Sequence, residues 1–118
     1  MQRTFIAIAL CVLLAACVSE PGKGQEAEQR IAKAAPVIDA LKRFHAKNGT
    51  YPESLTSLVP EEMIALPDIY LPSRNSVTDG GKYRLVGLSY ELSFRYYEDG
   101  MNECIYQPRK GWICHGWI

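Results

Sequence analysis

The chain has 118 residues, with 13 basic and 13 acidic side chains and no net charge. That balance removes the electrostatic case for nucleic acid or an anionic membrane surface as partner. The length admits one small domain and is too short for two.

The chain opens with Arg3, an apolar run from Phe5 to Leu14, two alanines and Cys17. A positive start, an apolar segment and small residues are the parts of an export signal. The apolar stretch from Phe5 to Val18 falls short of the roughly 20 residues that span a bilayer. Leu14-Ala15-Ala16-Cys17 also resembles the lipobox of bacterial lipoproteins. That resemblance implies cleavage before Cys17 and lipid on its thiol; an ordinary cleaved signal, with Cys17 incidental, is the plainer alternative. The implied organisation is a signal peptide over 1–16, lipidated Cys17 with a flexible tether over 17–25, and a folded domain over 26–118. By the family's sorting habit, Val18 after the cysteine directs the protein to the outer membrane, facing the periplasm. Loss of Arg3 leaves 12 basic against 13 acidic residues, a charge of −1. Lipid rather than charge must then hold the protein to the bilayer, each buried methylene contributing about 0.8 kcal/mol.

With Cys11 in the signal and Cys17 lipidated, only Cys104 and Cys114 are left to pair. Two remaining thiols in an exported protein favour a disulfide.

Val18 to Gln25 is polar and carries one proline and two glycines, the composition of a flexible tether. From Glu26 to Lys47 the period is helical: Ile31, Ala34, Ala35, Ile38, Leu41 and Phe44 recur at three- and four-residue steps. Pro36 predicts a kink, or a frayed start with the firm helix beginning near it. Asn48-Gly49 is a stop signal. Tyr51 to Val59 reads as a short second helix with Pro52 in its first turn, Pro60 to Met63 as one more turn, and Leu66 to Lys82 as a long irregular loop.

The period then changes to two. Tyr90, Leu92, Phe94 and Tyr96 alternate with Glu91, Ser93 and Arg95, the mark of a strand with one buried face. Tyr83 to Leu88 reads as a preceding strand or as part of the same one, interrupted at Gly87. Glu98-Asp99-Gly100 is a hairpin turn, Glu103 to Gln107 the next strand, Pro108 to Gly111 another turn, and Trp112 to Trp117 the last strand. A striped helix and a one-faced sheet must cover each other. The fold class is α+β: one long helix on a three- to four-stranded antiparallel sheet.

The stretch Phe44 to Pro60, followed by Leu66-Pro67, carries Gly49, Tyr51, Pro52, Leu55, Leu58, Val59 and Pro60 in an order that resembles bacterial type IV pilin heads. The nearest likeness is to the major pseudopilins of type II secretion, whose long helix packs on an antiparallel sheet. Two departures matter. A lipobox and polar tether stand where such proteins have a prepilin-peptidase site and an apolar helix, and Ile69-Tyr70 follows Asp68 where the family continues Asp-Pro-Trp. Glu20, Lys23, Glu26, Glu28, Arg30 and Lys33 occupy the region that would pack a filament core. Burying such charges unpaired costs several kcal/mol each. The resemblance therefore implies a pilin-like head remounted on a lipid anchor, monomeric rather than a filament subunit.

Cys104, Cys114, His115 and His45 are zinc-ligand types, but adjacent Cys114 and His115 point to opposite faces of a strand. Glu98, Asp99, Asn102 and Glu103 cluster at a hairpin, where the resemblance to calcium-binding pseudopilins implies a calcium site, though without an EF-hand spacing; a solvated acidic turn is the plainer reading. No nucleophile elbow, phosphate loop or zinc-protease helix motif occurs in the chain. Among Tyr90, Tyr96, Tyr97, Tyr106, Trp112 and Trp117, half are expected in the core. Tyr97 and either Trp112 or Trp117 are expected on the other face as a protein-contact patch. The expected function is a non-enzymatic, lipid-anchored envelope protein without cofactor. Its expected partner is another envelope protein, in a secretion or pilus-type system or elsewhere. The alternative is a small enzyme or ligand-binding lipoprotein acting on cell-wall material or a small molecule, marked by a pocket at His45 or His115.

Overall fold

The computed structural model of the chain describes residues 20–71 and 81–117, the side chain of Trp117 excepted. The expected signal peptide, Cys11, Cys17 and the loop residues from 72 to 80 lie outside the described residues.

Helix α1 spans Gln25–Asn48. Glu26 and Glu28 occupy its first turn and His45 and Lys47 its last, so each end carries the charge its dipole favours. It ends at Gly49, whose φ of 76° lets its amide donate to the His45 carbonyl. The helix is continuous from Gln25 and does not begin near Pro36. Pro36 is exposed, so water can serve the carbonyl that loses its amide partner there. Ala27, Ala34, Val37, Ala40 and Leu41 are fully buried, with Ile31, Ile38 and Phe44 packed beside them. Ala35, expected in this stripe, faces solvent instead. At about 3.6 residues per turn the row through Ala34 continues at Val37 and Leu41, and Ala35 falls about 100° aside.

The chain then lies over one end of the core. The expected helix from Tyr51 to Val59 shrinks to a 3₁₀ turn, Leu55–Leu58, whose cap Ser54 accepts a hydrogen bond from the Thr56 amide. Val59–Pro60 is cis. A second 3₁₀ turn, Asp68–Tyr70, sits within the expected irregular loop. Leu55, Leu58, Ile69 and Tyr70 all enter the core.

Four strands complete the domain: β1 Gly81–Val86, β2 Ser89–Tyr97, β3 Met101–Gln107 and β4 Gly111–Trp117. They form one antiparallel sheet in the order β1-β2-β3-β4. The fold is α+β, with α1 on one face of the sheet. Tyr90, Leu92, Phe94 and Tyr96 of β2 face α1 and are at most 3% exposed. Register extends that face across the sheet through Tyr83, Leu92, Tyr106 and Trp112, and through Phe94, Cys104 and Cys114. Each large side chain buried here contributes roughly 1.5–3 kcal/mol relative to exposure. Gly81 is required where β1 begins, because a Cβ there would run into the Tyr70 ring.

Residues 21–24, tether-like in composition, lie against the sheet. The Gly22 amide donates to the Tyr96 hydroxyl oxygen at 2.9 Å. A Cβ on Gly22 would stand 2.7 Å from the Cys114 Sγ, and one on Gly116 3.3 Å from the Pro21 ring. Both glycines of the segment have positive φ, 84° at Gly22 and 94° at Gly24. Here glycine supplies close approach and left-handed backbone rather than freedom.

Candidate functional site

The domain has two chemically different ends. At the first, residues 21–24, the β2–β3 turn and the end of β4 meet. Cys104 and Cys114 stand directly opposite in the β3–β4 register and are bonded to one another. Antiparallel pairing keeps matched positions on one face, so the expected pair meets. Cys104 is fully buried, and the covalent bond removes both thiols from the zinc set considered from sequence.

In the acidic hairpin beside them Asn102 and Glu103 have protein partners, and Glu98 Oε2 is buried with no hydrogen-bond partner among the described residues. The Glu98 carboxylate lies against Gly24 at the positive end of α1, where a Cβ would be 2.9 Å from Oε1. Glu103 receives Arg95 Nε at 3.0 Å. The Asn102 amide donates to the carbonyls of Glu98 and Gly100 at 2.8 and 3.1 Å. Among the described residues no three His, Cys, Asp or Glu side chains converge on a metal position.

At the second end, the last turn of α1, the β1–β2 turn and the β3–β4 turn enclose an open cleft of about 560 Å³. An antiparallel meander puts alternate turns at the same end, which brings Leu88 and Arg109 together although they are far apart in sequence. The cleft is floored by aromatic rings. His45 lies on Tyr51 with centroids 4.3 Å apart, and Tyr51 meets Tyr90 edge-on at 4.8 Å. Burial raises the Tyr90 hydroxyl pKa well above the ordinary value, with Tyr106, Tyr51 and Tyr83 adding to the effect. Tyr83 donates to the Pro52 carbonyl at 2.6 Å, and burial, then Tyr51, pushes its pKa up to about 12. Leu88 on the rim is 94% exposed, and the β3–β4 turn adds Arg109 and Lys110, both exposed.

Near this end Glu62 is buried but fully paired. Lys47 Nζ donates to its Oε1 at 2.7 Å and Arg43 Nε to its Oε2 at 3.4 Å, while Arg43 Nη2 holds its main-chain carbonyl at 2.6 Å. The Lys47 hydrogen bond, followed by the pull of both cations, holds the carboxyl below the usual range against the opposing effect of burial. The pairing ties the Pro60–Met63 turn to the end of α1.

The outer sheet face differs from its expected role. Trp112 is on the inner face, its ring centroid 5.3 Å from that of Phe94 and 5.4 Å from that of Tyr106. Even positions of β4 share the inward side with Cys114, so Trp112 packs in the core and not in a contact patch. The other tryptophan, Trp117, has its side chain outside the described residues. Tyr97 is 53% exposed, but cross-strand polar pairs occupy much of the remaining outer face. Arg84 Nη2 lies 2.9 Å from Glu91, Gln107 Nε2 donates to the same carboxylate at 2.7 Å, and Arg95 pairs with Glu103. His115 stands opposite Glu103 in register.

The residues quoted for the pilin resemblance have physical roles here. Gly49 caps α1, Pro52 is buried with its carbonyl bonded to Tyr83, Leu55 and Leu58 fill the core, and the Val59–Pro60 bond is cis. Leu66 packs on the core, and the Pro67 carbonyl accepts the Tyr70 amide. The cleft residues Leu88, Arg109 and Lys110 were not legible as a site from sequence, although turn parity in a meander was available as a signal.

No helix among the described residues is long and apolar enough to cross a membrane. Comparison with protein-family models, curated protein sequences and solved structures gave no match.

Proposed function

We propose that this is a lipid-anchored bacterial envelope protein whose pilin-like head binds another envelope protein and performs no chemistry of its own. The observation that carries the reading is the docking of residues 21–24 on the sheet, at the end opposite the cleft. With lipid on Cys17, three residues separate the anchor from this docked segment, four residue steps that reach at most roughly 14 Å of extended chain. A head so mounted keeps one end at the bilayer and turns the other toward the periplasm. Val18 after Cys17 supports the outer membrane as its location. The charged first turns of α1 support a monomeric head over a filament subunit.

The test has two parts. Full-length protein in cells should take up labelled palmitate and enter the detergent phase, and Cys17→Ser should abolish both. An unlabelled wild type overturns the anchor. A photo-cross-linker in place of Leu88 should yield protein adducts in intact cells, and one in place of Lys82 on the outer face should not. Equal adducts, or none, overturn the orientation.

A further inference from the structure

Resting on the protein-binding reading above, we propose that the cleft between the end of α1 and the β1–β2 and β3–β4 turns binds an acidic, apolar peptide segment of the partner protein. Its volume of about 560 Å³ lies within the roughly 300–1,000 Å³ typical of ligand sites. The floor is preformed, since Tyr90 is 3% exposed and is braced by Tyr51 and Tyr83. A rigid aromatic floor spends little ordering entropy when an apolar side chain lands on it.

Charge selects the occupant. None of the ten residues lining the cleft is acidic, whereas Arg109 and Lys110 are both cationic and exposed. Among the described residues no hydrogen bond or ion pair engages the Arg109 guanidinium. Lys110 lies within electrostatic reach of Glu91, but that carboxylate is already held by Arg84 and Gln107. Glu62, the nearest buried acid, is neutralised by Lys47 and Arg43. The rim therefore presents uncompensated positive potential beside apolar surface, and a carboxylate is the complementary group.

Shape selects a peptide. Leu88 is 94% exposed and Val86 42%, so the apolar surface runs out of the cleft onto the β1–β2 turn. A small molecule seated on the aromatic floor leaves that surface wet, whereas a chain laid across floor and rim covers both. Ser89 and Gln107 also line the cleft. A lipid headgroup is out of reach, because α1, with 24 residues and a rise of about 1.5 Å each, separates this end from the anchored one.

Fluorescence anisotropy of the full-length protein in maltoside micelles tests this with three labelled hexapeptides. They are Asp-Phe-Leu-Glu-Phe-Asp, its neutral amide form Asn-Phe-Leu-Gln-Phe-Asn, and the basic form Lys-Phe-Leu-Lys-Phe-Lys. The acidic peptide should bind about tenfold tighter than the neutral one, and the basic one weakest. Arg109→Glu combined with Lys110→Glu should invert that order. Both side chains are exposed, so the fold is undisturbed. Leu88→Ser should weaken the acidic and neutral peptides alike, by about threefold or more. Lys82→Glu on the outer face should leave the acidic affinity unchanged. Equal binding of the three peptides, an order that survives the double reversal, or no binding up to millimolar concentration each overturn the proposal. Adducts at position 88 in cells without acidic-peptide binding would overturn this inference alone and leave the protein-binding reading standing.

Discussion

The Gly22 amide donates a 2.9 Å hydrogen bond to the hydroxyl of Tyr96, across 74 positions of sequence. Tyr96 is 1% exposed, so its hydroxyl would otherwise be buried with one partner fewer. The bond joins the segment ahead of α1 to the buried cluster of Ala27, Phe94, Tyr96 and Cys104.

Tyr96→Phe should loosen this segment at a cost of about 1 kcal/mol, the net value of one such bond. Gly22→Ala should cost more, because it adds a Cβ 2.7 Å from Cys114 Sγ at a φ of 84°. Thermal denaturation ranks the two variants, and trypsin cleavage after Lys23 reports the loosening. Cleavage as slow as in the wild type would show that the segment is held by something else.

Replacing Cys104 and Cys114 together by alanine should lower stability by about 2–3 kcal/mol, through the lost constraint on a short loop of the unfolded chain. Denaturant titration of the double variant measures this. Non-reducing mass spectrometry of the wild type should show the intramolecular bond, and two free thiols would contradict the pairing.

Glu62 sets an acid limit. Its carboxyl is held below its ordinary value of 4.5 in the folded protein, by Lys47 first and then Arg43. A lowered folded value gives stability that is complete above the unfolded value and is lost as pH falls through the folded one. Melting temperature should therefore drop below about pH 4.5, and Glu62→Gln should lie lower at neutral pH with a flatter acid limb. Parallel curves for the two proteins would count against the pairing.

An alkaline limit follows from the tyrosines. Tyr83 is raised to about 12 by burial and Tyr51, and Tyr70 and Tyr90 are raised further, by burial first. Raised folded values give stability that is full below the ordinary value of 10.0 and is lost as pH climbs through the folded values. Spectrophotometric titration should show a late, cooperative group of tyrosines ionising with unfolding. Tyr83→Phe should delete one of them and cost about 1–2 kcal/mol by stranding the Pro52 carbonyl.

Periodicity made the architecture legible where one face is apolar and the other is not. The alternation from Tyr90 to Tyr96 predicted the buried face of β2, and setting aside Cys11 and Cys17 left Cys104 and Cys114 as the expected pair. Along α1 the signal was weaker because alanine is at home on either face, so Ala35 was placed in the stripe that Val37 and Ala40 occupy. Composition misled at residues 21–24, since glycine serves mobility and close contact equally well, and only the disulfide and Tyr96 decide between them. The cleft was hidden for a different reason. Its rings, its exposed leucine and its cations come from three separate stretches that only tertiary structure brings together.

Sheet order has a consequence for the chain during its synthesis. Strands add in the order in which they are made, each beside its predecessor, so every pairing closes only a short loop. The helix, however, is finished at Asn48, and the sheet that packs on it does not begin until Gly81. A nascent chain thus carries Val37, Leu41 and Phe44 without the sheet through the intervening stretch, with Leu55, Leu58, Ile69 and Tyr70 as their early cover, and these are the residues a chaperone would hold. Slowed elongation between Gly49 and Ser89 should raise aggregation of the emerging chain while leaving the finished fold unchanged.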